Sequence, residues 1–145
     1  MKIPFKLAYH GTFWPEGMEI DTRGLRTEYG YVSITPDRRW ARFFAMSKRY
    51  KYREQPGKLV IYEVNIERLP DDVVNNCIPP DGINPEALED DTLLDIETGM
   101  VDDRKKVNDW RLPYVPWDSI INKEEEQRDA EPNLNAFELC LCMPR

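Results

Sequence analysis

The chain has a single histidine, His10, in 145 residues. That scarcity excludes any site assembled from several imidazoles. Three cysteines are too few, and odd in number, for a disulfide framework. Cys140 and Cys142 alternate with Leu139 and Leu141, so in a strand they share one face, and the spacing is not the C-x-x-C of redox or zinc sites. No metal centre is expected, and a reducing cytoplasm is. No run approaches the roughly 18 apolar residues of a membrane span. Met1-Lys2-Ile3-Pro4 opens without the long apolar region and small-residue cleavage site of a signal peptide. Neither membrane insertion nor export is expected.

What is present suits a folded domain. With 41% hydrophobic and 32% charged residues, the chain can bury a core without staples, and residues 1–145 are expected to form one domain. The net charge of −7 hides an asymmetry. Residues 1–58 carry 12 Lys/Arg against 6 Asp/Glu, and the remainder carries 8 against 21. The basic share gathers at Arg38, Arg39, Arg42, Lys48, Arg49, Lys51 and Arg53. Such a cluster is a solvated helix face or a surface that meets phosphates.

The stretch Leu7-Ala8-Tyr9-His10-Gly11-Thr12 reads as a short strand ending in a glycine turn. Gly11 removes a side chain where a flat ligand could approach the backbone, beside an imidazole and a hydroxyl. The alternative is a structural turn with His10 hydrogen-bonded for packing. Residues 13–29 read as a loop, with residues 20–25 a loop or short helix rather than a strand, and form a wall of the same site. Residues 30–35 form a second strand. Thr35 is expected as the N-cap of a helix, with Pro36 at its first position. In that helix Trp40, Phe43, Phe44 and Ser47 recur at i, i+3, i+4, i+7, an aromatic stripe expected to face the core, backed by Ala41 and Ala45.

Residues 58–66 make the strongest strand. Val60, Tyr62, Val64 and Ile66 share one face, Leu59, Ile61, Glu63 and Asn65 the other, and the apolar character of both predicts a central position. Residues 67–105 read as an acidic, proline-containing excursion with a short helix near residues 85–88. Strand character resumes at 106–111 and 115–121. The charged run 123–131 reads as a solvated loop or helical turn, and residues 136–143 as a closing strand. Short strands outnumber helices, which predicts an α+β domain with a mainly antiparallel, split sheet.

A strand carrying Tyr9-His10-Gly11-Thr12, a strand Tyr31-Val32-Ser33-Ile34-Thr35 running into an Ala- and Phe-rich helix, and a strong central strand occur in that order. This succession resembles the ADP-ribosyltransferase superfamily, most of all the small bacterial rifampin ADP-ribosyltransferases, over roughly residues 7–73. The resemblance implies an ADP-ribosyltransferase-like fold and NAD as co-substrate. It implies that His10 binds the adenosine-side ribose, that Gly11 holds the nicotinamide carboxamide through its backbone, and that Thr12 supports the turn. The family's second position is usually a stacking Tyr. Here Ser33 stands there, with Tyr31 two residues earlier on the same face, so either can line the nicotinamide site. Arg38, Arg39 or Arg42 would meet the diphosphate.

The third family position is an acid. Breaking the nicotinamide–ribose bond builds oxocarbenium character that a carboxylate stabilises. Asp109, in Asn108-Asp109-Trp110, matches an acid followed by an aromatic on a late strand and is preferred. Asp71, in Leu69-Pro70-Asp71-Asp72, matches the turn of the rifampin enzymes, and Glu63 is a third choice. Transfer of ADP-ribose to an acceptor (protein, nucleic acid or small molecule) is therefore the expected function. An RNA 2′-phosphotransferase-like or nucleic-acid-modifying role would use the basic stretch 38–53, though one histidine counts against it. A catalytically degenerate member that binds a nucleotide or a protein is the third alternative.

Overall fold

The computed structural model describes residues 3–26, 30–80 and 109–130. Its organising element is a long strand, Gly57–Asn65, flanked on both sides. In chain order the strands are β1 (Leu7–Pro15), β2 (Gly24–Leu25), β3 (Val32–Ile34), β4 (Gly57–Asn65), β5 (Trp110–Leu112), β6 (Val115–Pro116) and β7 (Ile120–Arg128). The helices are α1 (Arg38–Lys51) and α2 (Asp71–Asn75), with short 3-10 turns at Ile66–Arg68 and Trp117–Ser119. β4 pairs antiparallel with β1 and with β7. β3 pairs with β5, and β2 with β6, also antiparallel. The protein is a small α+β fold built mainly from antiparallel sheet. Among the described residues no helix is long and apolar enough to cross a membrane.

The central place expected for residues 58–66 holds, and so does the division of its faces. Val60, Tyr62 and Val64 join a core with Ala8, Leu25, Val32, Ile34, Trp110, Leu112 and Val115. Leu59 and Ile61 point the other way, into a second cluster with Phe13, Ala41 and Ala45. β1 obeys the same alternation. Gly11 and Phe13 lie on the face that packs closely against α1, whereas His10, Thr12 and Trp14 lie on the other and border a cleft, where Thr12 meets the Lys48 side chain of the same helix.

Several expectations need correction. First, β1 does not stop at a glycine turn but runs on to Pro15 in unbroken register with β4. Gly11 is required by the helix: a Cβ there would lie 1.6 Å from the Ala41 carbonyl oxygen. The small residues Ala41 and Ala45 thus bring α1 close to the strand. Second, the helix begins two residues late. Thr35 is occupied in a backbone bridge with Tyr9, and Asp37 is the N-cap, its carboxylate accepting the Arg39 N–H at 2.9 Å. Of the expected core stripe only Trp40 is buried, because the Ala41–Ala45 face docks on the sheet. Phe43, Phe44 and Ser47 are half-exposed.

Third, the charged run after residue 122 is neither loop nor helical turn. Its residues 123–128 belong to β7, polar there on both faces, which gives no hydrophobic period to read. β4 supplies its backbone partners, and the α1 arginines supply charge partners. Arg38 pairs with Glu124, and Arg42 with Glu126 at 3.0 Å. The basic first half and acidic second half of the chain meet here. Gly24–Leu25 likewise forms a strand where a loop or short helix was expected. The short helix near residues 85–88, residues 106–108 and the strand 136–143 with Cys140 and Cys142 lie outside the described residues.

Candidate functional site

Tyr9 and Thr35 exchange both backbone hydrogen bonds, Tyr9 N–H to the Thr35 carbonyl at 2.7 Å and Thr35 N–H to the Tyr9 carbonyl at 3.0 Å. This is the one point at which β1 and β3 pair among the described residues, for β3 otherwise pairs with β5. Backbone groups along a strand point alternately to either side. The Ser33 carbonyl therefore points to the same side as that of Thr35, toward β1, with no continuing ladder to receive it. His10 takes its place. Its Nδ1 lies 2.6 Å from the Ser33 carbonyl oxygen, a contact that requires the Nδ1–H tautomer and leaves Nε2 with its lone pair.

His10 is only 9% exposed. Burial lowers its pKa from 6.5 to about 4, the Ser33 carbonyl opposes that shift, and the charge of Lys48 adds to it. The imidazole is therefore neutral at physiological pH. It lies nearly parallel to the Tyr62 ring, centroids 6.4 Å apart. Trp14 Nε1–H in turn donates to the Tyr62 hydroxyl at 2.9 Å, tying the far end of β1 to the same frame.

Where β1 and β3 separate, a cleft of about 620 Å³ opens. His10, Gly11, Thr12 and Trp14 form its floor, Tyr31 and Ser33 one side. The C-terminal half of α1 contributes Phe44, Ser47, Lys48 and Lys51. The segment 18–26 supplies the opposite wall, as expected for residues 13–29. Lys48 and Lys51 come from α1, and Glu19, Asp21 and Arg26 from the segment, so both signs of charge line the cleft. Asp21 is firmly held. Its carboxylate accepts the Arg23 N–H at 2.8 Å, its carbonyl accepts the Trp117 indole N–H at 3.0 Å, and Arg26 stands 3.6 Å away. The Arg23 backbone N–H is the main reason its pKa lies below the usual carboxylate value.

The structure thus brings together His10, Gly11, Thr12, Tyr31 and Ser33. Thr12 supports no turn. Its hydroxyl accepts the Lys48 ammonium at 2.9 Å. Tyr31 is backed by the Arg111 guanidinium, 4.8 Å from its ring centre. The other expected residues lie elsewhere. Arg38 and Arg42 line a separate groove of about 310 Å³ with Glu124, Glu125 and Glu126, and Arg39 pairs with Asp37 at 3.1 Å. None of the three arginines lines the cleft, because the N-terminal half of α1 is turned to β7.

Nor does any expected acid line it. Asp71 is exposed in the first turn of α2, and Glu63 sits opposite Tyr9 in the β1–β4 ladder. Asp109 precedes β5, with one carboxylate oxygen 3.5 Å from Arg111 Nε and the other buried without a hydrogen-bond donor among the described residues. The acids that do line the cleft, Glu19 and Asp21, stand in a stretch that reads as a loop. Asp21-Thr22-Arg23, an acid two residues before the N–H it accepts, was the available signal. Lys48 was hidden among seven basic residues. Among the described residues no group of three or more His, Cys, Asp or Glu is placed to hold a metal.

Comparison with known proteins adds no relative: no family model, no curated protein and no solved structure matches the chain.

Proposed function

We propose that the protein is an NAD-dependent mono-ADP-ribosyltransferase of the cytoplasm, with NAD as co-substrate. The observation that carries this reading is the seat of His10 at the separation of β1 and β3, neutral, with Nδ1 committed to Ser33 and Nε2 left to accept a ligand hydroxyl. The cleft has the volume of a small-molecule site, and its aromatic and charged lining suits a nucleotide. Its lining of both signs suits NAD, which carries a cationic pyridinium and an anionic diphosphate. In this reading His10 binds a ribose hydroxyl, Gly11 offers its backbone to the carboxamide, and Tyr31 and Ser33 line the nicotinamide.

The bond between C1′ of the ribose and the nicotinamide nitrogen breaks, and nicotinamide leaves as a neutral molecule. The acceptor then bonds to C1′ and loses its proton. Positive charge on the sugar in between calls for a fixed carboxylate. Asp21, ionised and held by Arg23, replaces Asp109 and Asp71 as the residue best situated for this. The absence of Asp109 and Asp71 from the cleft favours, as a second reading, a protein that binds NAD without turning it over.

Nicotinamide release from NAD by wild type, His10→Ala and Asp21→Asn, with NAD binding followed by calorimetry on the same samples, separates these readings. Transferase activity predicts release that both substitutions abolish, with binding lost in His10→Ala and retained in Asp21→Asn. Binding without release, with any acceptor class supplied, supports the second reading. No binding of NAD by the wild type overturns both.

A further inference from the structure

Among the described residues none beyond Tyr52 lines the cleft, yet the wall that carries Asp21 is held by a later part of the chain, residues 114–117. The contacts follow one another along both segments. Arg26 lies over the Tyr114 ring, its guanidinium carbon 5.0 Å from the ring centre. Leu25 pairs with Val115 and Gly24 with Pro116, so closely that a Cβ on Gly24 would stand 2.2 Å from the Val115 carbonyl oxygen. The Trp117 backbone N–H reaches the Arg23 carbonyl at 3.4 Å, and its indole N–H donates to the Asp21 carbonyl at 3.0 Å. Backbone pairing is ordinary in a two-stranded ribbon. The indole does something more, for it carries the hold three residues beyond the start of β2.

A side chain sets the place of a carboxylate when two conditions hold. The carboxylate must be fixed to its own backbone, and the side chain must be fixed to the rest of the site. Both are met here. The Asp21 carboxylate accepts the Arg23 N–H at 2.8 Å, a turn that locks its direction to the backbone of residues 21–23. The Trp117 ring packs on Tyr62, centroids 5.6 Å apart. Tyr62 stands opposite His10 in the β1–β4 ladder, its ring nearly parallel to the imidazole, and its hydroxyl accepts the Trp14 indole N–H. We infer that Trp117 is a positioning residue: it sets the Asp21 carboxylate on the wall relative to the His10 imidazole on the floor, without itself lining the cleft. This rests on the transferase reading, which gives Asp21 its part at the sugar. A carboxylate stabilises a developing charge best from a fixed place, so the residue that fixes it should govern turnover more than binding.

Two substitutions separate the hydrogen bond from the packing. Trp117→Phe keeps a ring against Tyr62 and removes the N–H. Trp117→Gln removes the ring and keeps an N–H the same number of bonds from Cα. A role limited to filling space ranks Phe above Gln in every measurement. Positioning predicts that rank for stability in urea and the reverse for the site. In Trp117→Phe, kcat for nicotinamide release should fall by roughly 10–100-fold while calorimetric NAD affinity stays within about threefold, and Trp117→Gln should recover most of kcat. Exchange of the Arg23 amide proton, followed by NMR without NAD and referred to an amide of β4, should quicken by about tenfold in Trp117→Phe and stay near wild type in Trp117→Gln. An Arg23 amide indifferent to Trp117→Phe, or a kcat that follows stability across the two variants, overturns the proposal. So does a wild-type Trp117 indole proton that exchanges as fast as an exposed one, a measurement that needs no substitution. A wild type that releases no nicotinamide with any acceptor class supplied overturns the transferase reading, and the amide exchange then decides by itself whether Trp117 fixes residue 21.

Discussion

Neighbouring residues of β1 serve opposite ends. Gly11 and Phe13 are packed against α1 so closely that the Ala41 carbonyl occupies the place of a side chain. His10, Thr12 and Trp14, one residue away in each direction, border open volume and are held by polar contacts to Ser33, Lys48 and Tyr62. On the first side the fit is between backbones and admits no larger residue. On the second side the strand departs from its neighbour, and side chains do what a ladder would have done. The contrast shows how one strand serves as both foundation and floor: the close seam with α1 fixes β1 so that the other face can stay open.

The largest effect is expected on the closed side. Gly11→Ala forces the helix away from the strand, because the atom it meets is backbone rather than a flexible side chain. Overpacking of this kind should cost about 3 kcal/mol, measured as a loss of unfolding free energy in urea. A variant as stable as the wild type would show that the seam is less tight than described.

The open side responds to pH. The folded pKa of His10, about 4, lies below its ordinary value of 6.5, so between these values the unfolded chain binds more protons than the folded one. The stability contributed by a neutral His10 is complete above about pH 6.5 and is lost as pH falls toward 4, by up to about 3 kcal/mol. His10→Gln should remove that part of the slope. The carboxylate of Asp21, whose pKa is lowered chiefly by the Arg23 N–H, loses its contribution at still lower pH, so the difference between the two proteins isolates the histidine. Parallel urea titrations from pH 4 to 7 would reveal it, and equal slopes would contradict the buried, neutral assignment.

The smallest effect is expected outside both regions. Arg38 and Glu124 are both substantially exposed, and such pairs contribute at most about 1 kcal/mol. Arg38→Gln should shift the urea midpoint only slightly and leave NAD binding unchanged. A marked loss of NAD affinity would place a ligand contact at this end of α1.

These distinctions were unequally legible in the sequence. The two apolar faces of residues 58–66 announced β4 and its central place, since alternation and burial there carry the same information. His10, Tyr31 and Ser33, which line one cleft, stand out in the sequence by residue type and spacing. Gly11 is conspicuous, but a missing side chain does not say whether a ligand or a helix comes close, and here it is the helix. β7 was illegible, because Lys123, Glu124, Glu125 and Glu126 are exposed or nearly so and the strand is defined by its partners. The burial of α1 follows the two alanines that dock rather than the size of its aromatic residues, and periodicity alone does not separate the two. Asp21 and Lys48 needed the fold, for nothing in their local sequence tells which of many acids and lysines face a common space.

The most direct test of the account uses the chain's single histidine. Its imidazole gives one assignable pair of ring resonances by NMR, and these can be followed while NAD is added. The account predicts that the His10 resonances shift saturably with NAD and that the shift is lost when Ser33 and Tyr31 are replaced together by alanine. Resonances that stay fixed in the presence of saturating NAD would contradict the central claim that His10 is the floor of an NAD site.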